Sequence, residues 1–365
     1  GKLTVCCLLM LSAMPLNAQR EAKQIGDFKE SISLNEHLRG TKRTLQYRPD
    51  GDEFVCVNGK NRYTRALYGS HSPFRVETSD RPVFAFYNNG RGGNISFKVI
   101  LRDGTELALD CTGHCESRYS AGKRTYYLTD PSWGKGELRI SVLALADMDG
   151  AIWRFSPSNM PKGAILRWQH GGATGKRLSR NGDMGVDPAD CFELPVEATD
   201  LVTGELPLQK EVYLVRGEVP EDYNVRKLYQ QAEAASLALA SHLKIETPDP
   251  YLNTLGGALV AAADGIWDGQ VWLHGAIGWR MPLSGWRAGY TGDALGWHDR
   301  ARTHFDAYAA SQVTDVPNTI PHPAQDSTMN LARSEKRWGT PQYSNGYICR
   351  NPERNNQMHH YDMNL

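Results

Sequence analysis

The residues best suited to chemistry lie in one aromatic stretch, residues 264–304. Five of the nine Trp residues of the chain fall between positions 267 and 297, interleaved with Gly. An indole or phenol ring stacks on the C–H face of a pyranose, while neighbouring polar groups bind the hydroxyls. This stretch therefore indicates a carbohydrate site, with the packing of a helical core by the same Trp residues as the alternative.

The stretch also supplies the polar groups that such a site needs. Its titratable side chains include Asp264, Asp268, His274, Arg280, Arg287, Asp293, His298, Asp299 and His304. The side chains expected to bind the substrate are Trp267, Trp272, His274, Trp279, Trp286, Arg287, Tyr290 and Trp297. As far as residue 292 the stretch follows neither helical nor strand periodicity, so we expect a loop that carries aromatic plates.

A short motif at the end of this loop matches a known pattern. Pro282, Arg287 and the run Gly-Tyr-Thr-Gly-Asp-Ala over residues 289–294 agree in register with D-C-P-Q-R-x-E-R-L-G-W-T-G-D-A, with Tyr290 in place of W. The chain thus resembles bacterial α-L-rhamnosidases and related six-hairpin glycosidases, in which this signature opens a catalytic (α/α)6 barrel. The resemblance implies a glycoside hydrolase in which a β-sandwich and a linker helix precede the barrel.

The general acid of that family has no counterpart here. The Glu of the signature corresponds to Trp286, which cannot donate a proton to a glycosidic oxygen. Asp268 is the first candidate for the acid because it lies between two Trp residues, where partial desolvation raises the pKa of a carboxyl. Asp293 matches a family position and is the second candidate, with an N-cap role as its alternative. Glycosidases ordinarily need two carboxylates, and we expect the second beyond Leu365.

Residues 53–215 consist of short alternating runs broken by turn dipeptides. The dipeptides Asn58-Gly59, Asp103-Gly104 and Asp149-Gly150 follow such runs, and they supply the positive φ angles of hairpin turns. Repeated hairpins without helical periodicity predict a large antiparallel β-sandwich.

The periodicity becomes helical after residue 220. We predict one helix over residues 222–244, a second over 250–263 with Asp249 as N-cap and Pro250 as first residue, and a third over 293–310. Small residues on the second helix predict close packing on its neighbours; they are Gly256, Gly257, Ala258, Ala261 and Ala262.

The predicted fold class is multidomain, β then α. We expect a signal peptide over residues 1–18, an N-terminal antiparallel β-sandwich over 19–216, a linker helix over 217–250 and the start of an (α/α)6 toroid over 251–365. At about a dozen residues per helix plus connections, residues 251–365 are too few to close a toroid. We therefore expect an N-terminal fragment of a longer protein, inactive by itself.

The first residues have the pattern of a secretory signal peptide. Lys2 precedes an apolar run over residues 3–14, and small residues lead to Ala18. This run is too short to span a bilayer, so we expect cleavage near Ala18 and export to the periplasm or the extracellular space. The alternative is an N-terminal core helix.

Composition and cysteine spacing exclude several partners. The 41 basic residues balance 41 acidic ones without a block of Lys or Arg, so nucleic acid is not an expected partner. No later segment is long and apolar enough for a membrane span. Cys111 and Cys115 lack a second Cys pair for zinc, so we expect a local disulfide or two buried thiols, with no metal and no cofactor. No pattern indicates an oligomeric state.

Together these patterns predict an exported glycoside hydrolase whose carbohydrate partner is a plant or host polysaccharide or oligosaccharide. Two alternatives stay open. One is a polysaccharide lyase on the same toroid, with His274 or Tyr290 as base. The other is a non-catalytic glycan-binding protein that uses the Trp residues as a platform.

Overall fold

The computed structural model describes residues 47–59, 63–88, 91–171, 201–275, 282–283 and 286–312, with residues 314, 348 and 352. They belong to one compact unit, residues 46–365. The predicted signal peptide lies outside the described residues. Within them the chain has an antiparallel β-sandwich followed by helices, which confirms the predicted fold class.

The strands of the sandwich form two antiparallel sheets. Their bounds are β1 Arg48–Asp50, β2 Glu53–Val57, β3 Tyr63–Leu67, β4 Arg75–Ser79, β5 Phe84–Asn88, β6 Arg91–Ile100, β7 Glu106–Ala108, β8 His114–Ser120, β9 Lys123–Thr129, β10 Glu137–Ala144, β11 Gly150–Ser158, β12 Ile165–Gly171, β13 Val202–Pro207 and β14 Val212–Gly217. The first sheet has the order β1-β2-β8-β9-β10-β11-β14. The second has the order β13-β12-β6-β5-β4-β3, with β7 paired to β6.

Two of the three predicted hairpins are confirmed. Strands β6 and β7 pair across the turn at Gly104, whose φ is +89°, and β10 pairs with β11. The hairpin predicted at Asn58-Gly59 is wrong, because β2 and β3 belong to different sheets. Asn58 instead extends the pairing with β8, since its N–H donates to the Cys115 carbonyl and its Oδ1 accepts from the Cys115 N–H.

The sandwich core lies between the sheets and combines aliphatic side chains with a cluster of aromatic rings. The rings of Phe84 and Trp153 meet edge to face with centroids 5.5 Å apart, and those of Phe97 and Phe155 do so at 5.1 Å. Edge-to-face packing suits the ring quadrupoles. Because residues alternate between the two faces of a strand, Leu143 and Ile152 face outward from the first sheet, where a helix covers them.

Four helices follow the last described strand in the described part of the chain. They are α1 Val225–Ala240, α2 Pro250–Gly265, α3 Trp286–Ala294 and α4 His298–Ala310. Helix α1 packs on the outer face of the first sheet through Leu228, Tyr229 and Ala232. The predicted helix over residues 222–244 was too long at both ends, because Asn224, whose side chain accepts from the Lys227 N–H, caps its start and Ser241 caps its end.

Helix α2 confirms the predictions made for its start and for its small residues. Asp249 caps it by accepting from the Tyr251 N–H, and Pro250 is its first residue. Its small residues allow close approach, since a Cβ on Gly257 would lie 3.0 Å from the Ala121 Cβ and 3.2 Å from the Ala240 Cβ. The helix therefore lies against both the sandwich and α1.

The predicted helix over residues 293–310 is wrong in its start. Gly296, at φ +73°, separates α3 from α4. Asp293 lies near the end of α3, so the proposed N-cap role is also wrong. The loop expected up to residue 292 is also wrong at its end, because the chain is helical from Trp286 onward. Ala288 and Gly292, one helical turn apart, pack this helix against the buried Trp residues. A Cβ on Gly292 would lie only 2.2 Å from the Trp272 ring.

The described cysteines are free thiols. Cys56 and Cys115 are buried and Cys111 is exposed, so neither a local disulfide nor a pair of buried thiols forms at positions 111 and 115. Burial raises the pKa of Cys115 to about 12, which keeps the thiol protonated. No helix in the described part of the chain combines the length and apolar character needed to cross a bilayer.

Candidate functional site

Two of the predicted sugar platforms, Trp267 and Trp272, lie in the protein interior. Their backbones form an antiparallel bridge, and their ring centroids lie 4.7 Å apart. Only 5% of Trp267 and none of Trp272 is exposed to solvent. The Trp272 indole N–H donates to the Ala263 carbonyl. In this structure both residues pack the helical region, so sugar stacking on them stays a prediction.

Asp268 begins the tight turn that joins these two Trp residues. Its Oδ1 accepts from the N–H groups of Gln270 and Val271, at 2.9 and 2.7 Å, and Gly269 takes the positive φ of +99° that the turn requires. This is the side-chain-to-backbone bonding that Asp favours in turns. The contacts give Asp268 a structural role, and its role as general acid stays a prediction.

We expect Asp268→Ala to lower the free energy of unfolding by about 1 kcal/mol, since two hydrogen bonds to the turn are lost. Asp268→Asn should retain most of that stability because its amide oxygen accepts the same N–H groups. Chemical denaturation of both variants measures this difference. In the full-length protein, a fall of about a hundredfold in kcat for Asp268→Asn, with folding intact, would instead establish the catalytic role.

Helix α3 brings two predicted residues, Tyr290 and Asp293, to one exposed surface. They are three residues apart and therefore share a helix face. The Tyr290 side chain is 63% exposed. Asp293 Oδ1 lies 2.7 Å from His298 Nδ1 at the start of α4, and both of these side chains are exposed. We call Tyr290, Asp293 and His298 the α3 surface; it offers a ring, a carboxylate and an imidazole to solvent.

Two further predicted substrate residues have described side chains, His274 and Trp297. His274 is exposed in the loop after α2. Trp297 is partly buried beneath the Arg300 guanidinium, which lies 4.3 Å from its ring centroid. Trp279 and the side chains of Trp286 and Arg287 lie outside the described residues.

The structure forms an ionic cluster around Asp264, close to the end of α2. Its Oδ1 accepts from Arg300 Nη1 at 2.7 Å and from His71 Nε2 at 3.1 Å. Only 8% of Asp264 is exposed. Burial acts to raise the pKa of Asp264, but the bonds from His71 and Arg300 outweigh it and hold the pKa below its usual value. Asp264 is therefore a carboxylate at neutral pH.

The loop over residues 68–74 positions His71 in this cluster. Ser70 and Ser72 both donate to Asp149 Oδ1, which fixes the loop to the end of the sandwich. Gly69 allows the close approach, because a Cβ there would lie 1.8 Å from the Leu145 carbonyl oxygen. The loop is thus held rigidly enough to present an imidazole to α2.

Two buried residues with ionisable side chains, Arg75 and Glu77, lie on the adjacent strand β4. Arg75 Nη2 donates to the carbonyl of Gly265, at the end of α2, and the guanidinium lies 4.9 Å from the Tyr68 ring centroid. Burial raises the pKa of Glu77 to about 7, against the opposing charge of Arg75. Burial, together with the charge of Glu77, also raises the pKa of Tyr68. Glu77 therefore titrates near neutral pH.

Sequence reasoning identified Asp264 as one of several titratable groups but missed its partners. His71 is 193 residues away along the chain and Arg300 is 36 away. No local spacing signals such contacts. The turn role of Asp268 did have a signal, since Asp followed by Gly is a strong turn sequence.

Comparisons with known proteins match parts of this architecture. Residues 89–218, from β6 to β14, match a family described as a domain of unknown function (DUF4450). No match was found among curated proteins. Among solved structures, a bacterial glucoamylase complexed with acarbose is similar, with a TM-score of 0.45 and 9% sequence identity over 73% of this chain and 55% of that chain. The chain therefore spans about half the length of that glucoamylase.

Proposed function

We propose that the full-length protein is an exported glycoside hydrolase that acts on a plant or host polysaccharide or oligosaccharide. In this proposal the chain contributes a β-sandwich, a linker helix and the first helices of an (α/α)6 toroid. The α3 surface binds the carbohydrate, and Asp293 is its carboxylate. The proposed location is the periplasm or the extracellular space, because Lys2 and the apolar run that follows it have the pattern of a signal peptide.

The observation that carries the proposal is the composition of the α3 surface. Its Tyr290 ring is exposed and can stack on a pyranose, while the neighbouring Asp293 and His298 can bind hydroxyls. These residues occur within or beside the segment that resembles the six-hairpin glycosidase signature. Both the residue types and the motif therefore favour a sugar ligand.

Exposed apolar residues on the helices agree with this proposal. Leu252 and Leu259 of α2 are 46% and 49% exposed, and Leu237 of α1 is 62% exposed. Large apolar side chains favour burial. Further helices of a toroid would cover these faces, as the proposed architecture requires.

We expect Tyr290→Ala in the full-length protein to weaken oligosaccharide binding by about tenfold, the loss of one stacking contact of roughly 1.4 kcal/mol. Tyr223→Ala is a matched control, because Tyr223 is an exposed tyrosine at 38% exposure outside the helices. Isothermal titration with the best oligosaccharide from a panel measures both affinities. Equal affinities for the two variants would show that the α3 surface is not part of the binding site.

One contact favours a second candidate, a non-catalytic glycan-binding protein. The Asp268 carboxylate is engaged by two backbone N–H groups, and the sequence has Trp286 where the related family has its general acid. Sugar binding without sugar release by the full-length protein would support this candidate. Absorbance of unsaturated products would support the lyase alternative.

A further inference from the structure

Two arginines, Arg139 and Arg154, lie side by side on the outer face of the first sheet. Arg139 of β10 pairs with Ser156 of β11, and Ser141 pairs with Arg154, so the arginines are diagonal neighbours on adjacent strands. Both point outward, as Leu143 does, because residues two apart on a strand and residues directly paired across strands share a face. Diagonal neighbours lie about 7–8 Å apart, within reach of long side chains. We call these two residues the arginine pair.

Each guanidinium of the arginine pair is held by an aromatic ring. The Arg139 guanidinium lies 5.4 Å from the Tyr127 ring centroid, and the Arg154 guanidinium lies 4.3 Å from that of Tyr229 on α1. Both arginines are half-buried, and the Nε of each has no hydrogen-bond partner. Within the described part of the chain, neither arginine forms an ion pair or donates a hydrogen bond. Stacking therefore orients both planar groups and leaves their Nη donors to a ligand.

The two guanidinia converge on the phenol of Tyr229. Burial raises the pKa of Tyr229, with a contribution from the negative charge of Glu233. The positive charges of Arg154 and Arg139 both act to lower this pKa. A charge affects a neighbouring pKa only at short range, so both guanidinia lie near the same phenol oxygen. The arginine pair thus concentrates positive charge at one place on the sheet.

Arg118, on the same face of the sheet, shows which partner an arginine takes there. Its Nη1 donates to Asp50 Oδ2 at 2.9 Å and to Glu53 Oε2 at 3.0 Å. Its Nε donates to Glu116 Oε1 at 2.6 Å. Carboxylates are the partners that a guanidinium binds most strongly. The arginine pair has no such carboxylate among the described residues, so its donors suit an anion from outside the chain.

Acidic residues around the arginine pair do not neutralise it by direct contact. Glu211 pairs with Arg226 at 3.6 Å, and Glu233 of α1 pairs with Lys123 at 3.0 Å. Glu137, two residues before the first arginine on β10, is exposed and forms no ion pair in the described part of the chain. Exposed carboxylates contribute little to such pairs. The site therefore favours an anionic ligand over a neutral or cationic one.

We infer that the arginine pair binds one oxyanion, a carboxylate or sulfate group, on the outer face of the first sheet. Each guanidinium can bind two oxygens of such a group through its fork of N–H donors. The site lies within residues 89–218, the part of the chain that matches the DUF4450 family. It shares no residue with the α3 surface, and the inference does not depend on the proposed hydrolase activity.

Titration calorimetry of the full-length protein at low ionic strength tests this inference. The ligands are sodium sulfate, sodium glucuronate and, as the uncharged counterpart, glucose. We expect saturable binding of at least one anion, at least about tenfold weaker in Arg139→Gln and in Arg154→Gln, because charge-assisted hydrogen bonds are lost. Glucose should not displace the anion. Tighter binding of glucuronate would identify an acidic sugar as the source of the group, and tighter binding of sulfate a free or esterified sulfate.

Arg102→Gln is the matched control, because Arg102 is exposed in the turn between β6 and β7 and its replacement removes the same charge. This variant and Tyr290→Ala should bind the anion as the parent protein does. Circular dichroism establishes that each variant is folded. Absence of saturable binding of both anions would overturn the inference. So would unchanged affinity in folded Arg139→Gln or Arg154→Gln, or loss of binding in Tyr290→Ala. Failure of the hydrolase proposal would leave these expectations as they are.

Discussion

Replacing Asp264 with Ala is expected to lower the free energy of unfolding by about 3 kcal/mol, the low end of the range for breaking a buried ion pair. We use the low end because the pair is partly exposed to solvent: the Arg300 side chain is 25% exposed and the Asp264 side chain 12%. The loss has two sources: Arg300 loses its bond to the Asp264 carboxylate, and so does His71. Urea denaturation followed by Trp fluorescence measures the change.

Asp299→Ala is the matched control for this prediction. Asp299 pairs with Arg302 on α4 at 3.5 Å, and its side chain is 94% exposed. An exposed pair contributes at most about 1 kcal/mol, so this variant should be close to the parent protein in stability. Equal stabilities for Asp264→Ala and Asp299→Ala would contradict the structural role of the Asp264 cluster.

The contribution of Asp264 to the free energy of unfolding should decrease in acid. Because the folded state lowers the pKa of Asp264 below the ordinary 3.8, its stabilising effect is complete above that value. It is lost as the pH falls through the lowered pKa of the folded state. Asp264→Ala should therefore lack part of the acid destabilisation seen in the parent protein.

Glu77→Gln is expected to make the protein more stable at pH 8 by about 3 kcal/mol. Burial raises the pKa of Glu77 from 4.5 to about 7, and each pKa unit corresponds to about 1.4 kcal/mol. A carboxyl group whose pKa is higher in the folded state contributes its full stability below the ordinary pKa of 4.5. This contribution decreases as the pH rises and is lost above the folded-state pKa of about 7. Gln has a similar volume and no charge to lose.

Denaturation curves between pH 4 and pH 8 test this expectation. The parent protein should lose stability across that interval, and Glu77→Gln should lose less. Glu137→Gln, at an exposed position at the start of β10, serves as the control and should follow the parent curve. A Glu77→Gln curve parallel to that of the parent protein would show that Glu77 does not titrate in this range.

Much of the fold could be predicted because its signals are local. Asp249 and Pro250 mark the start of α2 through capping and a fixed φ, and both act within one helical turn. The Asp103-Gly104 hairpin depends on φ at a single Gly. Such features need no knowledge of distant residues.

The role of the Trp residues between positions 267 and 297 was harder to predict, because it depends on whether each ring is exposed or buried in the fold. Trp next to Gly suits a sugar platform and an irregular core equally well. Gly292 decides between them for Trp272, since its missing Cβ lets α3 cover the ring. The contact between His71 and Asp264 likewise depends on tertiary packing. Composition and periodicity do not carry that information.

Treatment of plant and host polysaccharides with the full-length protein tests the central proposal most directly. Reducing sugar and the absorbance of unsaturated products should be recorded together, with Asp293→Asn as a parallel sample. We predict release of reducing sugar from at least one polysaccharide, no unsaturated product, and a marked fall in release for Asp293→Asn. Absence of release from every polysaccharide, or release with unsaturated product, would contradict the proposal that this protein is a glycoside hydrolase.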